Sequence, residues 1–274
     1  MSAGFDPDFD DAVWTLDWLR IPVRQVPVGD YESGYRVVRE FVEQIDVFGQ
    51  SYQLDPPLDV RGLFDPAGVL WMSDTPQERM MMYNNARRSQ GHILVGGAGL
   101  GLYPQYVTGA ASFTIIERSP IVLKVVGPML QEVMAERGVQ LRFLVGDIET
   151  FLARAEPGGY DTIFLDTWER LDAALLPSIN RLRNLSLRHL APGGQVLLWG
   201  YRWMVRLFEE ACATLLIMPP EERELWLAEQ RPANPRAAVL LTPIADAFRG
   251  RTIQRWELDE AVRYCREWVR QVTV

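Results

Sequence analysis

Apolar positions along the chain change their rhythm near residue 75. Upstream they fall in short alternating runs broken by Pro, Asp and Gly, as in RIPVRQVPV (20–28) and VRGLFDPAGVLWMS (60–73). Alternation fits half-buried strands, and the DPAG tetrad between two apolar runs reads as a hairpin turn. A small β-rich part is therefore expected over residues 1–74, within which YRVVREFVEQIDVF (35–48) fits helix or strand.

At SDTPQERMMMYNNARRSQG (73–91) a helix is expected: Thr75 is placed as N-cap, Pro76 suits the first turn, Glu78 completes a capping box and Gly91 ends the helix. Near-continuous apolar runs then follow at ILVG (93–96), FTIIE (113–117), LRFLVGD (141–147), DTIFLD (161–166) and QVLLWG (195–200), separated by segments of helical period. That alternation predicts an α/β fold, a doubly wound, mostly parallel Rossmann-like sheet over residues 75–274 with a helical C-terminal extension. Beyond residue 200 three helices are expected, in YRWMVRLFEEACATLL, PEERELWLAEQR and LDEAVRYCREWVRQ, with AAVLLTP (237–243) as a further strand.

The 274 residues, 48% of them hydrophobic, are enough for a large domain or for a large and a small one. With 36 carboxylates against 28 Lys and Arg, the acidic balance argues against phosphate-driven nucleic-acid binding, although a local basic patch stays open. The N-terminal MSAGFDPDFDDAVW is acidic and lacks an apolar core, and no window is long and apolar enough to span a bilayer, so a cytoplasmic protein with no membrane partner is expected. Cys212 and Cys265 lie inside amphipathic patterns and read as buried thiols of a reducing compartment. They and the two histidines lack ligand spacing, so no metal site is expected.

In an open parallel sheet, ligands bind beyond the carboxyl ends of the strands, where strand order reverses. The first strand of this set ends in glycines, the second at Glu117, the third at Asp147 and the fourth at Asp166. Each carboxylate alone is also served by a role at a helix N-terminus, but together with the glycine loop they form a ligand site. Glu117 lies twenty positions after Gly97, near the spacing at which an acidic residue meets a ribose. The loop lacks the G-x-G-x-x-G of a nicotinamide site and carries G-x-G-x-G at Gly97, Gly99 and Gly101. A nucleoside is the inferred ligand, and a nicotinamide-dependent oxidoreductase stays open as a third reading, disfavoured by the loop.

In sequence order, VGGAGLG, IIE, VGD, YDTIFLD and LAPGGQVLL resemble the motifs of class I S-adenosylmethionine-dependent methyltransferases, and the branch they resemble is the spermidine-synthase-like one, which also carries a small β domain upstream. The resemblance covers roughly residues 60–200. It implies that Gly97, Gly99 and Gly101 approach the methionine portion of the cofactor, that Glu117 accepts the ribose hydroxyls and Asp147 the adenine amino group, and that Ile148 lines the adenine. It also implies that Asp166 is catalytic, with Thr167 and Trp168 facing the substrate; for Trp168, plain packing is the alternative. Spermidine-synthase-like proteins are often dimers, so a homodimer is implied as well.

Two departures set methyl transfer from S-adenosylmethionine to a small-molecule acceptor above aminopropyl transfer from its decarboxylated form. Leu100 stands where those synthases carry an amine-holding aspartate, and Arg170 follows soon after Asp166, whereas a polyamine needs unpaired carboxylates. A protein that binds the nucleoside without turnover fits the same residues. His92 and His189 are poor bases by position, and Met80, Met81 and Met82 read as core filler. Trp199, Tyr201 and Trp203 either wall the substrate site or pack against the sheet.

Overall fold

A computed structural model of the chain describes residues 4–5, 13–47 and 50–273. Its strands are β1 (Gly4–Phe5), β2 (Gly29–Asp30), β3 (Arg36–Val47), β4 (Gln50–Phe64), β5 (Leu70–Ser73), β6 (Gln90–Gly96), β7 (Gly109–Glu117), β8 (Gln140–Val145), β9 (Tyr160–Leu165) and β10 (Leu190–Leu198). Its α-helices are α1 (Pro76–Ala86), α2 (Leu102–Tyr106), α3 (Pro120–Glu136), α4 (Ile148–Arg154), α5 (Leu176–Leu187), α6 (Tyr201–Ile217), α7 (Pro220–Gln230), α8 (Pro235–Ala247) and α9 (Leu258–Val269). The chain divides into two compact units, Met1–Glu169 with Leu185–Trp199, and Arg170–Asn184 with Gly200–Val274.

The first unit holds a parallel sheet in the order β1-β10-β9-β6-β7-β8 and an antiparallel sheet in the order β2-β3-β4-β5. In β6 the consecutive residues Ile93, Leu94 and Val95 are all buried, as are Ile163, Phe164 and Leu165 in β9 and Val196, Leu197 and Leu198 in β10. Successive side chains point to opposite faces, so both faces of the sheet are covered, as the continuous apolar runs predict. After β1 at the edge, the chain runs from β6 outward through β7 to β8, then resumes on the other side of β6 at β9 and β10. The reversal of strand order therefore falls between β6 and β9.

In the small sheet, the part of YRVVREFVEQIDVF from Arg36 to Val47 is strand, β3 pairing with β4 from Arg36↔Phe64 to Val47↔Gln50, and Phe48 lies outside the described residues. The DPAG turn is also present, with Gly68 at φ +80°, its N–H on the Asp65 carbonyl at 2.9 Å, and the Asp65 N–H on the Val69 carbonyl at 3.0 Å. The alternating segment before β2 makes no strand. Pro22 and Pro27 have no N–H to offer a ladder, and the Gln105 side chain takes both the N–H (2.7 Å) and the carbonyl (3.0 Å) of Arg24.

Two local expectations at α1 give way. Thr75 and Pro76 do open the helix, but the Thr75 side chain makes no capping bond, and Glu78 reaches elsewhere. The helix ends at Ala86, before Gly91, which lies inside β6 at φ +71° where the β6–β7 register shifts; a Cβ there would sit 2.1 Å from an Asp161 carboxylate oxygen. The base of α1 is fixed to the small sheet. Arg79, buried, donates to the Asp74 carboxylate (2.7 Å) and to the carbonyls of Asp74 (2.9 Å) and Asp59 (2.6 Å), while Gln25 also donates to Asp74 (2.9 Å).

The second unit is helical. AAVLLTP is not a strand but part of α8, because Asn234 caps the helix through Ala237 N–H (3.1 Å), Pro235 opens it, and the buried Ala238, Leu241 and Ala245 recur at helical spacing. Cys212 of α6 and Cys265 of α9 are both free and buried, and contact with Cys265 together with burial pushes the Cys212 thiol well above its usual range. Arg223 caps the end of α6 by donating to the carbonyls of Leu216 (2.9 Å) and Met218 (3.2 Å), and it also donates to that of Phe248 (2.8 Å). Among the described residues, no helix is long and apolar enough to cross a membrane, and no group of three or more His, Cys, Asp or Glu could hold a metal ion.

Candidate functional site

A cavity of about 350 Å³ opens at the carboxyl ends of β6, β7, β8 and β9, at the reversal of strand order. Of the residues singled out in the sequence, Gly97, Gly99, Glu117, Asp147, Ile148, Asp166, Thr167 and Trp168 all line it. Its other walls come from β5 (Leu70, Trp71, Met72, Ser73), from α1 (Glu78, Met82) and from Trp199 after β10.

The glycines divide by what each does. Gly97 has φ +92°, and a Cβ on it would stand 2.0 Å from the Asp166 carbonyl oxygen, so the loop can close on β9 only with glycine there. Gly99 has φ +52° and open space where a Cβ would be, and it lines the cavity. Gly101 does not line the cavity: a Cβ there would meet Val126 at 2.9 Å and Leu130 at 3.1 Å, so its smallness serves packing on α3. Leu100, buried, lines the cavity in its place.

Glu117 closes β7 and reaches back to the loop. Its Oε2 accepts from the Ala98 N–H (2.9 Å) and its Oε1 from the Ser119 N–H (2.7 Å), which leaves further lone pairs on both oxygens. Asp147 caps α4 by accepting from the Thr150 N–H through Oδ1 (2.7 Å) and also lines the cavity. Both readings of Asp147, cap and ligand residue, are thus compatible in one side chain.

Asp166 follows β9, its backbone N–H bonded to the Gly96 carbonyl (2.8 Å), and lines the cavity. Burial, Glu78 and Glu117 push that carboxyl well above the usual carboxylate range. Glu78, read from the sequence as a cap, instead accepts from the Trp199 indole N–H at 3.0 Å, and burial raises it to about 7 against that bond's opposing effect. The Trp199 and Trp168 rings lie 6.5 Å apart.

Other candidates fall away from the cavity. Tyr201 belongs to α6 and donates to Asn180 (2.8 Å), Trp203 lies further along the same helix, and neither lines the cavity. His92 is exposed and bonded to Ser112 (2.8 Å). His189 is buried with its ring nitrogens at the carbonyls of Leu152 (2.7 Å) and Glu156 (3.1 Å). Arg170, taken from the sequence as a neutralising charge, pairs with Asp172 at 3.2 Å and does not line the cavity. The lining carboxylates are Glu78, Glu117, Asp147, Asp166 and Glu169, and Arg118 is the one cation among the lining residues described.

No family model matches the chain, and no curated protein matches it. Solved structures overlap with it in part. A SAM-dependent methyltransferase from Thiobacillus denitrificans in complex with S-adenosyl-L-homocysteine is 17% identical over 45% of this chain and 48% of its own, with a TM-score of 0.34. The C-terminal domain of precorrin-6Y C5,15-methyltransferase from Rhodobacter capsulatus is 13% identical over 50% and 72%, with a TM-score of 0.34. A putative S-adenosyl-L-methionine-dependent methyltransferase from Methanococcus maripaludis is 13% identical over 70% and 74%, with a TM-score of 0.33. The chain spans about half the length of the first of these. Overlaps this loose say nothing of its chemistry, which its own residues must carry.

Proposed function

We propose that the protein is an S-adenosylmethionine-dependent methyltransferase acting on a small-molecule acceptor. One observation carries the reading: the glycine loop, Glu117, Asp147 and Asp166, spread over some seventy positions, line one cavity at the reversal of strand order. The residues fit the cofactor. Gly97 and Gly99 leave the loop without side chains, Glu117 is a carboxylate already oriented by two backbone N–H groups and able to accept ribose hydroxyls, and Asp147 with Ile148 offers an acceptor beside an apolar wall.

When bound, the cofactor supplies a methyl group on a cationic sulfur. The chain's task is then mainly alignment, which can lower a barrier by about 7–11 kcal/mol when reacting atoms are well held. Trp71, Trp168 and Trp199 wall the acceptor end and exclude water, and the carboxylates of Glu78 and Asp166 are there to orient an acceptor and manage its proton.

Aminopropyl transfer is the second reading. It is favoured by the cavity's acidity now that Arg170 is paired with Asp172, and opposed by Leu100. Melting temperatures with S-adenosylmethionine, S-adenosylhomocysteine, decarboxylated S-adenosylmethionine, methylthioadenosine and NAD separate these readings. A ligand at a hundredfold excess over its Kd adds about 2.7 kcal/mol to stability. A rise with the first two supports methyl transfer, a selective rise with the next two supports aminopropyl transfer, and no rise with any nucleoside refutes both.

A further inference from the structure

Of the five carboxylates on the cavity, Glu117, Glu78 and Asp166 are partnered unequally. Glu117 accepts two backbone N–H groups, from Ala98 (2.9 Å) and Ser119 (2.7 Å). Glu78 accepts one N–H, from the Trp199 indole at 3.0 Å. The Asp166 carboxylate has no hydrogen-bond partner among the described residues, although it is sheltered in the same cavity. Donated hydrogen bonds favour the ionised form, and neighbouring carboxylates withdrawn from water do not all ionise. The shared proton goes to the group with the fewest donors.

We propose that Glu78 is a catalytic base that takes the acceptor's proton, while Asp166 rests protonated and serves as a hydrogen-bond donor to the bound ligand. This rests on the methyltransferase reading. As the acceptor's X–H atom bonds to the methyl carbon, the carbon–sulfur bond breaks with its electron pair on sulfur, and the X–H proton passes to a Glu78 carboxylate oxygen. Nothing is oxidised or reduced. A protonated Asp166 also avoids fixing a negative charge near a cation that the reaction discharges, an interaction that would favour the ground state over the transition state.

The surroundings agree. Burial raises Glu78 to about 7, with the Trp199 N–H opposing it, and burial together with the charges of Glu78 and Glu117 raises Asp166 well above the usual carboxylate range. The remaining charged groups on the cavity are Arg118, Asp147 and Glu169, and the guanidinium next to Glu78 in sequence, Arg79, is committed to Asp74.

Infrared spectra of the ligand-free protein at about pH 8, a unit above the titration of Glu78, test the proton's place without any acceptor. A protonated-carboxyl band is expected in the wild type, lost in Asp166→Asn and kept in Glu78→Gln. A band lost in Glu78→Gln but kept in Asp166→Asn, or no band in the wild type, overturns the proposal. Carboxyl ¹³C NMR of wild-type protein labelled only at aspartate gives the same answer without a variant: one aspartate should stay protonated through that pH. With an acceptor that turns over, Glu78→Gln should lower kcat about 10²–10⁴-fold and abolish its rise with pH, and Asp166→Asn should keep that rise. The converse pattern refutes the assignment of the base. If wild-type protein fails to bind S-adenosylhomocysteine by calorimetry, the cofactor reading falls, while the infrared result still locates the proton.

Discussion

The backbone of Asp166 closes on Gly97 so tightly that a Cβ on that glycine would stand 2.0 Å from the Asp166 carbonyl oxygen. The end of β9 and the glycine loop are therefore fixed against each other by the absence of a side chain. Gly97→Ala should destabilise the protein by about 2–4 kcal/mol, since φ +92° and the backbone clash add together. Gly99→Ala meets open space and only the left-handed backbone penalty, about 1–2 kcal/mol. Urea denaturation should rank them so, and S-adenosylhomocysteine titration should show Gly99→Ala folded but weaker in binding.

Glu117→Ala removes the acceptor for the Ala98 and Ser119 N–H groups as well as the one offered to a ligand. With hydrogen bonds to charged groups at about 1.5–3 kcal/mol each, S-adenosylhomocysteine affinity should fall on the order of a hundredfold in calorimetry. An unchanged affinity would remove Glu117 from the site.

Glu78 makes stability depend on pH with a definite sign. Its folded-state pKa is raised from 4.5 to about 7, so between those values the folded state holds a proton that the unfolded state has released. Stability from this group is fully present below about pH 4.5 and is lost as pH rises through about 7, by about 3 kcal/mol at most. Glu78→Gln should flatten that part of the Tm profile and leave the variant more stable than wild type at pH 8.

Asp74 and Arg79 form a buried ion pair at 2.7 Å that ties α1 to the small sheet. Asp74→Ala strands a buried guanidinium and should cost about 3–5 kcal/mol by chemical denaturation. Because the pair sits at the base of the helix that carries Glu78, a folded remnant of this variant should also show altered quenching of Trp199 by pH.

The parallel sheet was legible because strands buried on both faces leave long apolar runs, as in ILVG and DTIFLD, and because glycines and carboxylates recur at their ends. α8 was misread since Ala, Val and Leu in succession fit either element, and only the Asn234 cap and Pro235 mark a helix start. Gly101 and Gly97 look alike in sequence, yet one makes room for α3 and the other for Asp166, a difference set by which neighbour approaches. Glu78 was missed because its spacing from Thr75 satisfies a local rule, whereas its partner, Trp199, lies 121 positions away. A carboxylate one turn before three buried methionines was the available signal.

One wall of the cavity is drawn from strand ends between residues 95 and 167, while another comes from β5 and α1, a stretch encoded upstream of the glycine loop. Selection can therefore act on the two separately. Substitutions at Leu70, Trp71, Met72 or Met82 reshape that second wall without disturbing the turn at Gly97. On the methyltransferase reading proposed above, descendants of this chain are free to change their acceptor over evolutionary time while inheriting the same cofactor pocket.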